Sequence, residues 1–296
     1  MIQAQLKLRP NQALESTFDS WLWMLTGVWN WSVRKIENDA QGGIYFTPKD
    51  FQNILAGHGK KMGVPSHTVQ GMLAQAHTAW VRCFKKMGGQ PKLKGQRNKL
   101  NSIPFPDPIR APEGNYITLP GLGKIRFHKQ ELPAGKIKCG RLVKRASGGY
   151  LCVFIDAERE PIEGSAGKAV GIDPGFKDLI TLSNGKKLGH SQELQESLTR
   201  LGQAQRGGNK KLVARIHERI KNQRNDRNHK LYLRLVEDYS VIAMSKDNVK
   251  GMARVFGKSV SSSGIAQLRS MLDYKSRAGG VRDIEANSRN STRISA

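Results

Sequence analysis

The residue in this sequence best placed to do chemistry is Asp173, which follows a short apolar run and precedes a Pro-Gly pair. Val170 and Ile172 alternate with small residues, which predicts a buried strand that ends at the Asp173 carboxylate. Pro174 and Gly175 stop strand pairing at that point, so the carboxylate is free to face a ligand. A single carboxylate at a strand end is a candidate metal ligand.

The residues after Asp173 predict the element that positions it. Residues 179–182 form a second short strand, and Ser183-Asn184-Gly185 predicts a two-residue type I′ turn into a third. A meander whose first strand carries an Asp is typical of RNase H-like nuclease domains. The alternative is that Asp173 only begins a turn, as Asp often does. This stretch alone leaves both interpretations open.

The composition indicates a nucleic-acid partner. Lysine and arginine number 49 against 24 acidic residues, a formal net charge of +25 over 296 residues. A compact protein keeps such an imbalance when a polyanion shares its surface, through phosphate neutralisation and counterion release. A basic soluble enzyme and a ribosomal-type structural protein are the other classes considered, and the length, enough for about two domains, disfavours the second.

No membrane or secretion signal is predicted, because no apolar run approaches the roughly 18 residues of a spanning helix. We therefore expect a cytoplasmic protein. Cys83, Cys139 and Cys152 are far apart and form no Cys-x-x-Cys pair. The sequence accordingly predicts neither a disulfide framework nor a zinc site, and no cofactor is expected.

Residues 11–101 are predicted to be mainly helical. In the first helix, Trp23 and Trp31 lie partly off the apolar stripe. Such rings more commonly widen the core contact, and the alternative is that they stack on unpaired bases. A later helix begins at Ser66, its predicted N-cap, and carries Gln70 on a polar edge that can enter a DNA groove.

Basic side chains are concentrated in two segments. Residues 85–99 are too rich in Gly and Pro for a helix and are expected to track phosphates. A long helix opened by Asn209 is expected to turn Leu212 inward with Ile216 and Ile220, leaving its cations outside. The candidate phosphate contacts are Arg34, Lys35, Arg82, Lys85, Lys86, Lys92, Lys94, Arg97, Lys99, Lys210, Lys211, Arg215, Arg219, Arg224 and Arg227. For any one of them, a solvated surface residue is the alternative.

The remaining segments are β-rich. Residues 102–158 contain short strands separated by turns, the pattern of a small barrel. The strand at residues 3–8 precedes the helices, and we expect it to pair into this barrel, which makes the helical segment an insertion. Strands at 241–244 and 281–286 are expected to join the Asp173 strand.

Six sequence blocks in a fixed order carry a family resemblance: Trp29-Asn30-Trp31, Pro65-Ser66 with Gln70, Gln90-Pro-Lys-Leu-Lys94, Ile117-Thr-Leu-Pro-Gly-Leu-Gly-Lys-Ile-Arg-Phe127, Gly171-Ile-Asp-Pro-Gly175 and Asn248-Val-Lys-Gly-Met252. Together they resemble TnpB, the family of RNA-guided nucleases of bacterial transposons from which the type V CRISPR effectors descend. The resemblance covers nearly the whole chain, and the ordered set is far more specific than any one block.

The resemblance implies an α+β multidomain fold. Its parts are a wedge β-barrel (1–10 and 102–160), an inserted helical recognition domain (11–101) and an RNase H-like (RuvC) α/β domain (168–296). The implied partners are a guide RNA and double-stranded target DNA with a short adjacent motif, which the protein reads in the duplex while base pairing reads the rest. Ser66, His67 and Gln70 are the candidate contacts to the motif bases, and a monomer is expected in the RNA complex.

Departures from the family pattern fall on its catalytic residues. RuvC chemistry is two-metal phosphodiester hydrolysis, and two Mg²⁺ ions about 4 Å apart need several carboxylates. Asp173 matches the family's first ligand. The second, a Glu three residues before Asn248, is Ser245 here, and Lys246 follows where the family usually has Asp. The sequence ends before the family's Cys-x-x-Cys zinc ribbon and last catalytic Asp, which implies a degenerate, truncated RuvC-like domain without the ribbon.

We therefore expect a bacterial, nucleoid-associated, RNA-guided DNA-binding protein that is not an enzyme, most like the nuclease-dead TnpB-like repressors (TldR) that occupy a promoter. One alternative is an active endonuclease in which Asp247, Asp283 or Glu285 replaces the lost ligand. Asp247 shares the strand parity of Ser245 but lies about 6 to 7 Å further along an extended chain. The other alternative is a decayed or shortened transposon fragment. The sequence does not reveal the guide, the motif or the regulated gene.

Overall fold

The chain divides into two compact units, Met1–Glu158 and Arg159–Ala296. A computed structural model of the protein describes residues 1–96, 98–157, 168–175, 178–189, 191–245, 251, 254, 257, 263–276 and 282–286. The predicted site residues Arg97 and Asp247 lie outside these ranges, as does Lys246. Each unit is described by itself below.

The first unit combines helices with antiparallel sheet. Its elements are β1 (Ile2–Lys7), α1 (Gln12–Gln41), α2 (Pro48–Ile54), α3 (His58–Met62), α4 (Ser66–Phe84), β2 (Ser102–Phe105), β3 (Tyr116–Leu119), β4 (Gly123–Arg126), β5 (Lys136–Arg145) and β6 (Gly148–Asp156). Four strands form one sheet in the order β1-β6-β5-β2, and β3 and β4 form a hairpin. An isolated bridge between Leu8 and Phe127 connects the end of β1 to the residue after β4.

β1 pairs with β6 in antiparallel register, from Ile2 opposite Ile155 to Lys7 opposite Tyr150. Because β1 precedes α1 and β6 follows all four helices, the helical segment is inserted between strands of one sheet. Leu6 and Leu151, opposite each other in this register, are fully buried and belong to a core that the helices share.

Local sequence explains where the helices of this unit begin. The Asn11 side chain accepts a hydrogen bond from the Leu14 N–H and caps α1. Thr47 and Asp50 form a reciprocal capping box at the start of α2. The prediction that Ser66 caps α4 is wrong: Ser66 is the first helical residue, after Pro65, and no side-chain cap bond forms there. The short helix α3 is flanked by two glycines with left-handed backbones, Gly57 (φ 77°) and Gly63 (φ 64°).

Close approach fixes α4 against the sheet. Gly71 lies on α4, and a Cβ atom added there would come within 3.2 Å of the Pro104 side chain in β2. On the opposite side, the indole N–H of Trp80 donates to the Val33 carbonyl of α1 over 3.1 Å. α4 is therefore held between α1 and β2.

The second unit is a mixed sheet with helices. Its described elements are β7 (Ala169–Pro174), β8 (Asp178–Leu182), β9 (Lys187–Gly189), α5 (Gln192–Arg206), α6 (Lys210–Asp238), β10 (Val241–Ser245), α7 (Ile265–Ser276) and β11 (Arg282–Ala286). The sheet order is β11-β10-β7-β8-β9. β11, β10 and β7 run parallel, and β8 and β9 pair in antiparallel fashion.

The hairpin between β8 and β9 differs from the predicted two-residue type I′ turn. Residues 183–186 connect the strands, and only Gly185 of the Asn184-Gly185 pair has a positive φ, 82°. A type I′ turn needs positive φ at both positions, whereas a turn followed by one left-handed residue is the usual longer hairpin. The Asn184 side chain instead donates to the Tyr239 hydroxyl over 3.0 Å.

Two apolar clusters stabilise the second unit. The first half of α6 packs on α5 through Ile216 and Ile220, with Leu194 and Leu201 opposite. The later turns of α6 join α7 and the sheet in a separate core that contains Val236 and the fully buried Leu268. Among the helices that the structure describes, none combines the length and the apolar character needed to cross a membrane.

Candidate nucleic-acid interface

Asp173 lies at the end of the central strand of the second sheet. β7 ends at Asp173 and Pro174, and a hydrogen bond of 3.2 Å from the Gly175 N–H to the Leu179 carbonyl closes the turn. Asp173 is exposed, whereas Ile172 and Pro174 on either side of it are buried. The predicted delivery of this residue to an exposed strand end is confirmed.

Ser245 lies next to Asp173 in the sheet. In the parallel pairing of β10 and β7, Met244 is aligned with Ile172, so the next residue along each strand is Ser245 or Asp173. A two-metal site needs several carboxylates at such a point. Within the described residues no group of three His, Cys, Asp or Glu side chains is arranged to hold a metal ion. Among the described residues, this end of the sheet therefore brings the Asp173 carboxylate next to a serine position.

The backbone register of β11 does not bring an acidic position beside Ser245. Asp283 is aligned with Ile242 and Glu285 with Met244, whereas Ala286 is aligned with Ser245. The register therefore gives no support to Asp283 or Glu285 as a replacement for the lost ligand.

The three candidate motif-reading residues lie in the first two turns of α4. Ser66 and His67 are exposed, and Gln70 is half-buried. The His67 Nδ1 atom pairs with an Asp107 carboxylate oxygen, and both side chains are about half exposed or more. Ser66, His67 and Asp107, together with Phe105, line a hollow of about 170 Å³.

Asp107 was not predicted from the sequence. It lies 40 residues from its partner His67, on the segment after β2, so only the folded chain brings the two together. The acid flanked by Pro106 and Pro108 is the one local signal, because two prolines restrict the backbone around it.

The basic segment at residues 85–99 is anchored to α1. The Asn30 amide donates to the Lys94 carbonyl over 2.9 Å and accepts from the Lys94 N–H over 2.7 Å. The Trp29 indole donates to the Lys92 carbonyl over 3.1 Å, and the Lys94 ammonium lies 5.4 Å from the Trp29 ring centre. The segment is therefore held by specific bonds to the Trp29-Asn30-Trp31 block.

Two candidates in the first unit have local partners that compete with nucleic acid. Lys35 forms a salt bridge with Asp39 over 2.9 Å and lies over the Phe46 ring. Trp31 packs edge-on against the buried Phe51, with 6.1 Å between ring centres. The Trp31 ring is half-buried and contributes to the core, and its stacking on a base stays a prediction. Trp23, by contrast, is 79% exposed.

The other described candidates of the first unit are at the surface. Lys94 is half-buried over Trp29, and the exposed ones are Arg34, Arg82, Lys85, Lys86, Lys92 and Lys99. Lys86 has a left-handed backbone, φ 56°, at the end of α4. These positions remain candidate phosphate contacts.

The cations of α6 divide into two groups. The exposed group is Lys210, Lys211, Arg215 and Arg219. Arg224 and Arg227 are half-buried, which corrects the prediction that they continue the exposed row, and Leu212, predicted to face inward, is 40% exposed. The Arg227 guanidinium donates to the Ser263 carbonyl and to the Asn228 side chain.

Burial dominates the electrostatics of the inward pair. Desolvation, and to a lesser extent the neighbouring Arg224 charge, lowers the pKa of the Arg227 guanidinium to about 10. Burial also lowers the pKa of Arg224. Arg227 stays charged at neutral pH, and its bonds to Asn228 on α6 and to Ser263 just before α7 give it a structural role.

The chain is similar in sequence to one protein family and to two curated proteins. Residues 152–255 match the OrfB_IS605 family, described as "Probable transposase". A "Putative RNA-guided DNA endonuclease" of Streptomyces pristinaespiralis is 28% identical over 230 residues, 72% of this chain and 57% of the relative. The "Putative RNA-guided DNA endonuclease InsQ" of Escherichia coli (strain K12) is 25% identical over 214 residues, 68% of this chain and 53% of the relative. The chain spans little more than half the length of these two relatives.

A solved structure supports the fold. The cryo-EM structure of a Cas12f1-sgRNA-target DNA complex matches 95% of this chain and 74% of the Cas12f1-complex chain, with a TM-score of 0.52 and 12% sequence identity. At that identity the match shows the fold alone. The chain therefore shares the mixed α/β fold of Cas12f1. The family match and the two curated relatives show that the chain is similar to TnpB-type proteins, which supports the resemblance carried by the six sequence blocks.

Proposed function

We propose that this protein binds DNA under the direction of a guide RNA, does not cut it, and represses transcription by occupying a promoter. The observation that carries the proposal is the position beside Asp173. A serine hydroxyl brings no charge to a Mg²⁺ site, whereas a carboxylate does. With Ser245 there, the sheet end retains a carboxylate but lacks the charge that a two-metal mechanism requires.

The two units are proposed to divide the binding. The wedge barrel (1–10 and 102–160) and the helical recognition segment (11–101) hold the DNA motif and part of the RNA. The RuvC-like unit (168–296) holds the guide–target heteroduplex. The exposed cations of α6 and of residues 85–99 contact phosphates, so affinity depends on salt rather than on sequence at those points. No metal or other cofactor is required, and the complex is a cytoplasmic monomer on the nucleoid.

The motif site is proposed to be the N-terminal end of α4. Gln70 suits an adenine edge, and the exposed Ser66 and His67 reach towards the same groove. Replacing Gln70 by Ala is expected to cost about 1–3 kcal/mol of DNA binding and to relax sequence preference at one base pair. Replacing Lys85 by Ala is the matched control, because a phosphate contact lowers affinity for all sequences alike.

Two measurements test the function. Sequencing the RNA that co-purifies with the protein identifies the guide, and its variable end names a DNA target. Binding of that DNA is then measured between 50 and 200 mM salt, where six to ten phosphate contacts predict a loss of about three to five decades of affinity. A protein without co-purifying RNA, and with DNA affinity indifferent to salt, contradicts the proposal.

An active endonuclease is the second candidate, favoured by the retained Asp173 and by the printed names of the relatives. It requires Asp247 or another acid to hold the second metal within a fraction of an ångström of the productive position. A decayed transposon fragment is the third candidate, and a stably folded protein that binds guide RNA excludes it.

A further inference from the structure

Trp23 lies near the middle of α1 with its ring in solvent. It is 79% exposed, while Trp21, two residues earlier on the same helix, is 3% exposed. Trp29 is occupied by its hydrogen bond to Lys92 and Trp31 by its packing on Phe51. An exposed tryptophan adds nothing to the core, and a bare aromatic face on a nucleic-acid-binding protein is a stacking platform.

Two open hollows lie against this ring. One, of about 780 Å³, lies between α1 and residues 95–101, and its wall includes Lys99 and Lys144. The other, of about 840 Å³, lies between α1 and α3 and is bordered by His58 and Lys61. Both volumes fall within the roughly 300–1,000 Å³ typical of small-molecule sites. Trp23 and Thr26 line both hollows.

Gly27 leaves the same surface clear. It lies one turn after Trp23, is exposed, and a Cβ atom added there would meet nothing within 4 Å. Glycine in the interior of a helix is destabilising relative to other residues, and no packing contact explains it here. Its lack of a side chain keeps the approach to the Trp23 ring open, because helical side chains at i and i+4 would otherwise touch.

The wall opposite Trp23 is fixed and basic. The two hydrogen bonds between Asn30 and Lys94 hold the chain that leads into residues 95–101. Lys99 is exposed at this wall, and Lys144 bridges to Asp19 across it. A second copy of a chain with net charge +25 would be repelled from such a surface, whereas a phosphodiester strand would be attracted.

We propose that Trp23, Gly27, Gly95, Gln96 and Lys99 form a site for an unpaired nucleotide of single-stranded nucleic acid. The base stacks on the indole, and Lys99 contacts the adjoining phosphate. This site lies on α1, apart from the motif site at the start of α4, and it deepens the proposed function by adding a contact to a strand that is not base-paired. The proposed stacking site depends on the proposed function in one respect only, namely where the single strand comes from.

The test measures the affinity of the purified protein for short fluorescent oligonucleotides of three kinds: oligothymidine DNA, oligouridine RNA and an abasic strand of equal length. Trp23→Ala is expected to weaken binding of strands with bases about 5- to 150-fold and to leave abasic binding unchanged. Trp23→Phe retains most of the affinity. Tyr45→Ala, which removes another aromatic ring that is 72% exposed, is the control and has no effect.

Gly27→Leu gives an independent result. It is expected to raise the unfolding temperature, because leucine is the better helix former, and at the same time to lower oligonucleotide affinity by covering the ring. Lys99→Ala weakens all three probes, the abasic one included, and reduces the salt slope by about 0.7. The DNA and RNA probes show which kind of strand the site prefers.

Three outcomes overturn the proposal: unchanged base-dependent affinity in Trp23→Ala, an equal loss for the abasic strand, or a change in oligomeric mass rather than in affinity. These results are separable from failure of the proposed function. A protein that lacks guide RNA but loses oligothymidine binding in Trp23→Ala keeps this site. If the protein carries a guide RNA and Trp23→Ala leaves its oligonucleotide affinity unchanged, the stacking site is contradicted while the proposed function is not.

Discussion

The anchoring of the basic segment by Asn30 predicts a local rather than a global effect of mutation. Asn30→Ala removes both bonds to Lys94, and a half-buried hydrogen bond contributes about 0.5–1.5 kcal/mol net. The segment therefore loses about 1–3 kcal/mol of attachment to α1. Alanine is also the better helix former by up to about 0.7 kcal/mol, so global unfolding is expected to change little.

Limited trypsin digestion measures this opening, because cleavage after Lys92 or Lys94 requires the segment to leave α1. When opening is fast relative to cleavage, the rate follows the open population, so it is expected to rise about 5- to 150-fold. Asn38→Ala is the matched control: Asn38 lies on the exposed side of α1, and its replacement gives the same gain in helix propensity. Equal cleavage of both variants would refute the anchoring role of Asn30.

Three further predictions concern stability. Gly121→Ala should cost about 1–3 kcal/mol in denaturant unfolding, because φ is 73° there and the new Cβ would come within 2.9 Å of Trp21; Gly114→Ala, with a similar φ of 59° and open space, should cost less. Asn228→Ala should cost about 1–3 kcal/mol by leaving the Gly264 carbonyl without its buried partner. Hydrogen bonds from the Thr47 side chain and backbone lower the pKa of Asp50, so its contribution is present above the unfolded pKa and lost as pH falls through the folded one. Asp50→Asn should therefore reduce the unfolding temperature at pH 7 but not at pH 2.

Much of the framework could be predicted because its causes are local. An apolar stripe predicted the first helix of residues 11–101, and Asn209 predicted the start of α6, which it caps by accepting a hydrogen bond from the Leu212 N–H. Alternating residues at 3–8 predicted a strand, and the expectation that it pairs with strands after the helices is confirmed by the register of β1 with β6. Hydrophobic period and capping chemistry act within a few residues, so a single sequence contains them.

The rest depends on partners that are distant in sequence. Arg227 looks like any other cation on a basic helix, and its inward position follows from the Ser263 carbonyl, 36 residues away. The charge pattern of α6 could not reveal that partner. Pro65 supplies the helix start that Ser66 was expected to cap, because its fixed φ already suits that position.

In the candidate site, too, some features could be predicted from the sequence and others could not. The adjacency of Asp173 and Ser245 followed from two short apolar strands and a parallel sheet. The pairing of His67 with Asp107 could not be inferred, because it joins α4 to the loop after β2. The difference in exposure between Trp23 and Trp31 could not be inferred either, because Trp31 packs against Phe51, which lies on another helix.

One experiment tests the central claim most directly. The purified protein with its co-purifying RNA is incubated with matched DNA and Mg²⁺, and bound and cut DNA are quantified in the same samples, for the native chain and for Asp173→Ala. If the protein binds DNA without cutting it, the native chain and Asp173→Ala both leave the DNA intact. They also bind it with equal affinity and with the same dependence on salt. Strand scission by the native chain that Mg²⁺ removal and Asp173→Ala both abolish would show that the site cuts, and would contradict the account.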